Sequence, residues 1–127
     1  MVMTLSALVM GGTGVVLIFA PQEVSVFFGF GEAALLSAVP FQLLGALYFG
    51  FAMTNWTAKA NLIGGIYGRP VAIGNLVHFM VASLALVKAY SAGVSIILLP
   101  AVVYAGFAIA FAVIFFTHPV KESMPVQ

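Results

Sequence analysis

The sequence contains no cysteine and very few charged residues. Without cysteine, disulfide bonds, thiolate metal ligands and thiol redox chemistry are excluded. Aspartate is also missing, so the acidic residues are limited to Glu23, Glu32 and Glu122. All three lie outside the long apolar runs, and a buried pair of carboxylates for general acid–base catalysis is therefore not available.

Basic residues are equally scarce. The net charge is +1 and no basic patch exists that would hold a phosphate backbone, so no nucleic-acid partner is predicted. The N-terminus has no basic segment before its first apolar run, and that run is longer than the apolar region of a typical signal peptide. It is therefore expected to be retained as a helix.

What the sequence does contain is apolar. Hydrophobic residues make up 64% of the chain, charged residues 6%, and the mean hydropathy is +1.23, values typical of an integral membrane protein. At 127 residues the chain is predicted to form a single domain. Four apolar runs approach or exceed the roughly 20 residues that cross a bilayer core. They cover residues 3–20, 35 or 40 to 56, 70–90 and 94–117.

These runs are predicted to be four transmembrane helices, because each spanning segment must satisfy its own backbone hydrogen bonds. Short connections between successive spans favour an antiparallel up-down-up-down bundle. The longer connection, residues 21–39, starts with Pro21 and carries Glu23 in its first turn, as helix N-termini favour. Its valines and phenylalanines predict a short interfacial helix that ends at Gly29 and Gly31.

The few basic residues predict the orientation in the membrane. With four spans, both termini and the connection between the second and third spans share one side, which carries Lys59, Arg69 and Lys121. The other side carries only Lys88. The positive-inside rule therefore places both termini in the cytoplasm.

Small residues recur at three- or four-residue spacing in all four predicted helices. In lipid such residues let helix backbones approach closely. We expect packing within the chain, with a homo-oligomer interface as the alternative. The set comprises Gly11, Gly12, Gly14, Gly45, Ala46, Gly50, Ala52, Gly74, Ala82, Ala85, Ala89, Ala101, Ala105, Ala108 and Ala112.

Most polar side chains lie in the second and third predicted helices and the turn between them. Because these helices are antiparallel neighbours, Asn55 and Asn75 fall at similar depths, and His78 lies one turn below Asn75. An ionisable residue inside a membrane indicates a functional site by default, and if the second and third helices enclose a pocket, Gln42, Asn55, Asn75 and His78 should point toward one another. The candidate ligand-binding residues are Gln42, Tyr48, Asn55, Trp56, Lys59, Arg69, Asn75 and His78.

Each candidate also has a structural interpretation. The favoured interpretation of His78 is a neutral histidine whose hydrogen bond holds neighbouring helices together, and Trp56 is most simply an anchor at the interface. Lys59 and Arg69 serve either as topology determinants that contact lipid headgroups or as a cationic rim around a pocket. No metal or haem cofactor is predicted, because only His118 could join His78, and it lies roughly 10 Å or more away in depth by helix rise.

One stretch of motif residues resembles a group of small bacterial four-helix membrane proteins that carries no firm activity. It comprises Gly45, Asn55, Trp56, Lys59, Gly64, Gly65, Gly68, Arg69, Pro70, Asn75 and His78. More loosely, the chain is similar to DoxX-like small membrane proteins, in which a proline-led interfacial segment, here Pro21 to Phe30, follows the first helix. The resemblance implies the four-helix fold and a bacterial inner-membrane location, and it implies no reaction.

The sequence thus favours a non-catalytic integral membrane protein that acts as an accessory or interaction subunit. The alternative is a binder or carrier of a small lipophilic or lipid-like ligand, held between the second and third helices. An enzyme that uses His78 as its base ranks last, since no carboxylate partner accompanies this side chain. The predicted partners are the lipid bilayer, another membrane protein, a lipophilic ligand or a second copy of the chain.

Overall fold

The structure is a computed structural model that describes residues 1–29, 34–60 and 68–117, and every regular element within these ranges is helical. The helices are α1 (Val2–Phe19), α2 (Pro21–Phe27), α3 (Ala34–Ala58), α4 (Gly68–Ser91) and α5 (Leu98–Thr117), with a 3₁₀ turn at Ser95–Ile97 before α5. The prediction of an all-α chain is confirmed for these residues.

Proline and glycine end the helices close to where the sequence predicts. Helix α1 ends before Ala20, and Pro21 begins α2, where its fixed φ suits the first helical position. Helix α2 covers seven residues of the predicted interfacial segment and is followed by Gly29 at φ +84°. Gly93 adopts φ +100° in the turn between α4 and the 3₁₀ segment, a conformation that favours glycine.

The bounds of α3 and α4 lie close to the predicted spans. Helix α3 begins at Ala34, next to the earlier of its two predicted starts, contains Pro40 and ends two residues beyond Trp56. Helix α4 begins at Gly68, two residues before the predicted start, and ends at Ser91. Gly64 and Gly65, which belong to the motif residues, lie outside the described residues.

The chain divides into two compact units, and the first, Met3–Lys59, joins α3 to α1 and α2. A Cβ added to Gly14 would lie 2.9 Å from the Gly45 carbonyl oxygen, and one added to Gly45 would lie 2.9 Å from the Gly14 carbonyl oxygen. A Cβ on Gly11 would lie 3.5 Å from that of Ala52. These pairs confirm close small-residue packing of α1 on α3, and their opposite order along the two helices shows that α1 and α3 are antiparallel.

The second unit, Ala60–Gln127, packs α4 against α5. The buried residues of α4 are Gly68, Ala72, Asn75, Phe79 and Ser83. This stripe differs from the predicted one, since Ala85 is exposed, and Ala105 on α5 is only half-buried. Within the second unit, rings are therefore buried beside small residues: Phe79 beside Ala72 and Ser83 on α4, and Tyr104 and Phe111 beside Ala101 on α5.

Three described helical segments are long and apolar enough to cross a membrane: Val2–Phe19, Gly68–Ser91 and Ser95–Thr117. Most of their surface is exposed, with exposed fractions of 81% at Phe19, 74% at Leu99 and 76% at Phe116. Apolar surface of this extent needs lipid or protein to cover it, which is compatible with a membrane protein.

Candidate functional site

The eight candidate residues are divided between the two units. Five belong to the first unit: Gln42, Tyr48, Asn55, Trp56 and Lys59. Three belong to the second, all of them on α4: Arg69, Asn75 and His78.

Asn55 is the most deeply buried candidate in the first unit, and its side chain is fully inaccessible to solvent. Its Nδ2 donates a hydrogen bond to Ser6 Oγ at 3.0 Å and lies 3.9 Å from Met10 Sδ. Ser6 Oγ in turn donates to the Met3 carbonyl oxygen at 3.0 Å. We call Ser6, Met10 and Asn55 the amide cluster, and it joins the end of α3 to the first half of α1.

The amide cluster explains why an amide is tolerated at this buried position. An amide transferred to hydrocarbon without a hydrogen bond costs at least about 2 kcal/mol, whereas hydrogen bonds between membrane helices contribute about 0.6 to 2 kcal/mol. The sequence does not point to Ser6 and Met10, because its polar residues group Asn55 with Asn75 on α4, the next long helix along the chain, rather than with α1. The available signal was their four-residue spacing, which places them on one face of α1.

Gln42 and Tyr48 lie on the same helix as Asn55 but at different levels. Gln42 is exposed and Tyr48 is half-buried. Because α3 is continuous, the offset of 13 positions from Gln42 to Asn55 separates them by about 20 Å along the helix axis. The two side chains therefore do not share a small pocket, and the expectation that they converge fails for this pair.

Trp56 and Lys59 form a pair at the end of α3. The Lys59 Nζ lies 3.0 Å from the centroid of the Trp56 ring, which is a cation–π contact. Lys59 is exposed, and Trp56 keeps 44% of its surface exposed. Of the candidate residues, these two have the clearest direct contact with each other. We refer to them below as the Trp56–Lys59 pair.

In the second unit, Asn75 is buried and its amide is engaged within α4. Its Nδ2 donates a hydrogen bond to the Val71 carbonyl oxygen, one turn earlier, at 2.8 Å. Such a bond satisfies the side chain locally and lets an amide occupy the buried stripe of an apolar helix. Arg69 is exposed in the first turn of the same helix.

His78 lies half-buried beside a cluster of aromatic rings. Its ring centroid is 5.2 Å from that of Phe79 and 6.0 Å from that of Tyr104. Phe79 is fully buried and stacks on Phe107 at 4.8 Å and on Phe111 at 5.7 Å. We call Phe79, Tyr104, Phe107 and Phe111 the aromatic cluster; His78 lies beside it and is not counted in it.

Two further features bear on ligand binding. Within residues 1–29, 34–60 and 68–117, no three His, Cys, Asp or Glu side chains are grouped so that they could hold a metal ion, and His118 lies outside these ranges. Gln22, Glu23, Val26 and Phe27 of α2 line a shallow, open surface region. Sequence reasoning treated these residues only as an interfacial helix.

No protein-family model, curated protein or solved structure matches this chain. The similarity to DoxX-like proteins therefore stays a prediction from motif residues.

Proposed function

We propose that this protein is a small, non-catalytic, multi-pass membrane protein that serves as an accessory or interaction subunit for another membrane protein. The observation that carries this proposal is the amide cluster. Asn55, a polar side chain expected to line a site, is instead used to join α3 to α1. A chemical role for the remaining candidate groups would need a paired acid or base, which the scarcity of carboxylates argues against.

The proposed membrane arrangement has four spans. Helix α3 is the fourth span beside the three already identified, since 25 residues at about 1.5 Å each exceed the roughly 30 Å of a bilayer core. Helix α2 lies at the interface, where its exposed Val26 and Phe27 meet the acyl boundary. We place the protein in a bacterial inner membrane as an up-down-up-down bundle with both termini in the cytoplasm, following the basic residues.

A topology experiment tests this arrangement. We expect a reporter that works only in the cytoplasm to be active when fused to the C-terminus, and a periplasmic reporter to be active when inserted after Gly93. The fusion after Gly93 samples the opposite side of the membrane and serves as the internal control. The reverse pattern at both points would overturn the proposed orientation, and the same side at both would overturn the four-span count.

Crosslinking in native membranes tests the interaction role. A photoreactive residue at Ile109, whose side chain is 66% exposed, should form a reproducible adduct with one protein. The same residue at Phe111, which is fully buried, should not form that adduct and serves as the control. Adducts with lipid alone at Ile109 and at the similarly exposed Val102 would count against an interaction subunit that uses α5.

Binding of a lipophilic ligand remains the second proposal, and its support is the concentration of polar residues on α3 and α4. Lipid mass spectrometry of the purified protein distinguishes the two. If the ligand proposal holds, His78→Leu should keep the fold and lose a bound molecule. If His78 is structural, the variant should lower the thermal stability and leave the ligand content unchanged.

A further inference from the structure

The end of α3 carries a pairing that the accessory role does not account for. Lys59 comes directly after the last helical residue, and its ammonium lies over the ring of the only tryptophan in the chain. Both side chains are accessible, so the pair forms part of the surface rather than the packed interior. Its position at a helix end corresponds to the membrane–water boundary in the four-span arrangement.

The geometry of the pair leaves the ammonium available to an anion. A lysine ammonium has three N–H donors and no acceptor, and an indole face meets only one side of it. The ring also restricts the flexible lysine stem, which lowers the entropy lost when a ligand is bound. The partial negative charge at the C-terminus of α3 favours a cation here, but at about half an elementary charge it does not neutralise Lys59.

The hydroxyl groups of the neighbouring threonines do not provide alternative donors for a bound anion. Thr54 Oγ1 donates to the Gly50 carbonyl oxygen, and Thr57 Oγ1 donates to the carbonyl oxygens of Met53 and Thr54, all at 3.0 Å. Their protons are therefore used within α3, and among the described residues of the first unit Lys59 carries the only lysine or arginine side chain. The Trp56–Lys59 pair combines a positive charge with an amphipathic ring that favours the headgroup level of a bilayer.

We propose that the Trp56–Lys59 pair binds the phosphate of an anionic phospholipid, with the indole against the upper acyl chain and the ammonium on the phosphate. This inference rests on the membrane placement proposed above. Charge complementarity selects the anionic lipid, because a lysine near a negatively charged leaflet attracts such headgroups whereas a zwitterionic headgroup carries no net charge. The proposed topology puts the pair at the cytoplasmic leaflet, where anionic lipids concentrate.

The single tryptophan makes the test specific to this position. The full chain is reconstituted in vesicles that contain either brominated phosphatidylglycerol or brominated phosphatidylcholine, each with bromines near the headgroup end of the acyl chain. Bromine quenches the fluorescence of Trp56 on contact. The ratio of quenching by the two lipids at equal mole fraction reports the selectivity at this position and cancels differences in the brightness of each variant.

We expect the unmodified protein to favour the phosphatidylglycerol, and Lys59→Gln to lower that preference by about five-fold at low salt. Lys59→Arg should retain the preference. Lys88→Gln removes another exposed lysine, in the last turn of α4, and should leave the ratio at Trp56 unchanged. High salt should reduce the preference of the unmodified protein because it screens exposed charges.

Two results would overturn the proposal. One is equal quenching by the two lipids in the unmodified protein, and the other is an equal loss of preference in Lys59→Gln and Lys88→Gln. Vesicle flotation after alkaline extraction is measured on every sample. A protein that fails to float contradicts the membrane placement itself, whereas a protein that floats without lipid preference contradicts only the headgroup site.

Discussion

The contact between α1 and α3 and the contact between α4 and α5 are built from different side chains. The first brings two backbones together at Gly14 and Gly45 and adds a hydrogen bond from Asn55 to Ser6. The second is filled by the aromatic cluster, in which Phe79 of α4 stacks on Phe107 and Phe111 of α5. In the proposed membrane placement, neither contact gains from the removal of apolar surface from water, because lipid is as apolar as leucine.

The comparison shows two ways of stabilising helix contacts in an apolar solvent. Close backbone approach increases dispersion contacts and brings a polar pair within hydrogen-bond distance, but it tolerates almost no added volume. Ring stacking fills the contact with large surfaces and loses much when a ring is removed. The first contact should therefore fail when residues are enlarged, and the second when residues are made smaller.

The largest effect is expected at the aromatic cluster. Phe79→Ala removes a fully buried ring with two stacking partners, and cavities of this kind cost about 3–5 kcal/mol in protein cores. Met80→Ala, at an exposed neighbouring position, is the matched control and should cost well under half as much. Unfolding in mixed micelles measures both, and equal losses would show that Phe79 does not fill the α4–α5 contact.

The next effect tests the backbone approach in the first unit. Gly14→Val should lower the free energy of unfolding by about 1–3 kcal/mol, because the new side chain meets the backbone of α3 rather than a flexible side chain. Gly12→Val is the control, since a Cβ at Gly12 has no atom within 4 Å. If both variants melt at the temperature of the unmodified protein, the close contact of Gly14 with Gly45 does not exist in the folded protein.

A smaller effect is expected from the hydrogen bond of the amide cluster. A double-mutant cycle with Ser6→Ala and Asn55→Leu should give a coupling free energy of about 0.6 kcal/mol, and at most about 1.7 kcal/mol. Asn55 and Gln42, which lie about 20 Å apart along the axis of α3, provide the uncoupled control pair. A coupling of zero between Ser6 and Asn55 would leave Asn55 available for a ligand and weaken the proposed accessory role.

The smallest effect is expected at Ala85, where the sequence predicts a helix contact and the structure shows an exposed residue. Ala85→Leu should change the stability by no more than about 0.5 kcal/mol, as is usual for surface positions. Ala101→Leu, at a buried position of α5, should be clearly destabilising by comparison. A large loss for Ala85→Leu in detergent would indicate that this face is covered by protein in the folded state.

Much of the helix layout could be predicted from single residues. Pro21 separates α1 from α2, and Gly93 adopts the positive φ that ends the turn after α4. These positions are readable because proline and glycine act on the local backbone, independently of what packs against it. Pro40 shows the limit of this rule, since α3 continues through it.

The candidate site was predicted only in part. The Trp56–Lys59 pair could be expected from its three-residue spacing on a helix, because such residues are neighbours on one face. The partners of Asn55 could not be predicted, because to choose between two neighbouring helices one must know which face of α3 points toward each of them. In a soluble protein the apolar stripe supplies that direction, but a membrane helix that is apolar all round does not display it.

The sequence by itself determined that this chain is helical, rich in segments of membrane-spanning length and poor in the groups that catalysis and metal binding need. Composition decides these properties, because they depend on which side chains are present and on how long the apolar runs are. Only the tertiary structure decided that Gly14 meets Gly45, that Asn55 bonds to Ser6, and that Phe79 rather than Ala85 carries the contact with α5. The physical reason is that helix packing in an apolar environment depends on shape and on single polar contacts, and neither leaves a periodic pattern in a uniformly apolar sequence.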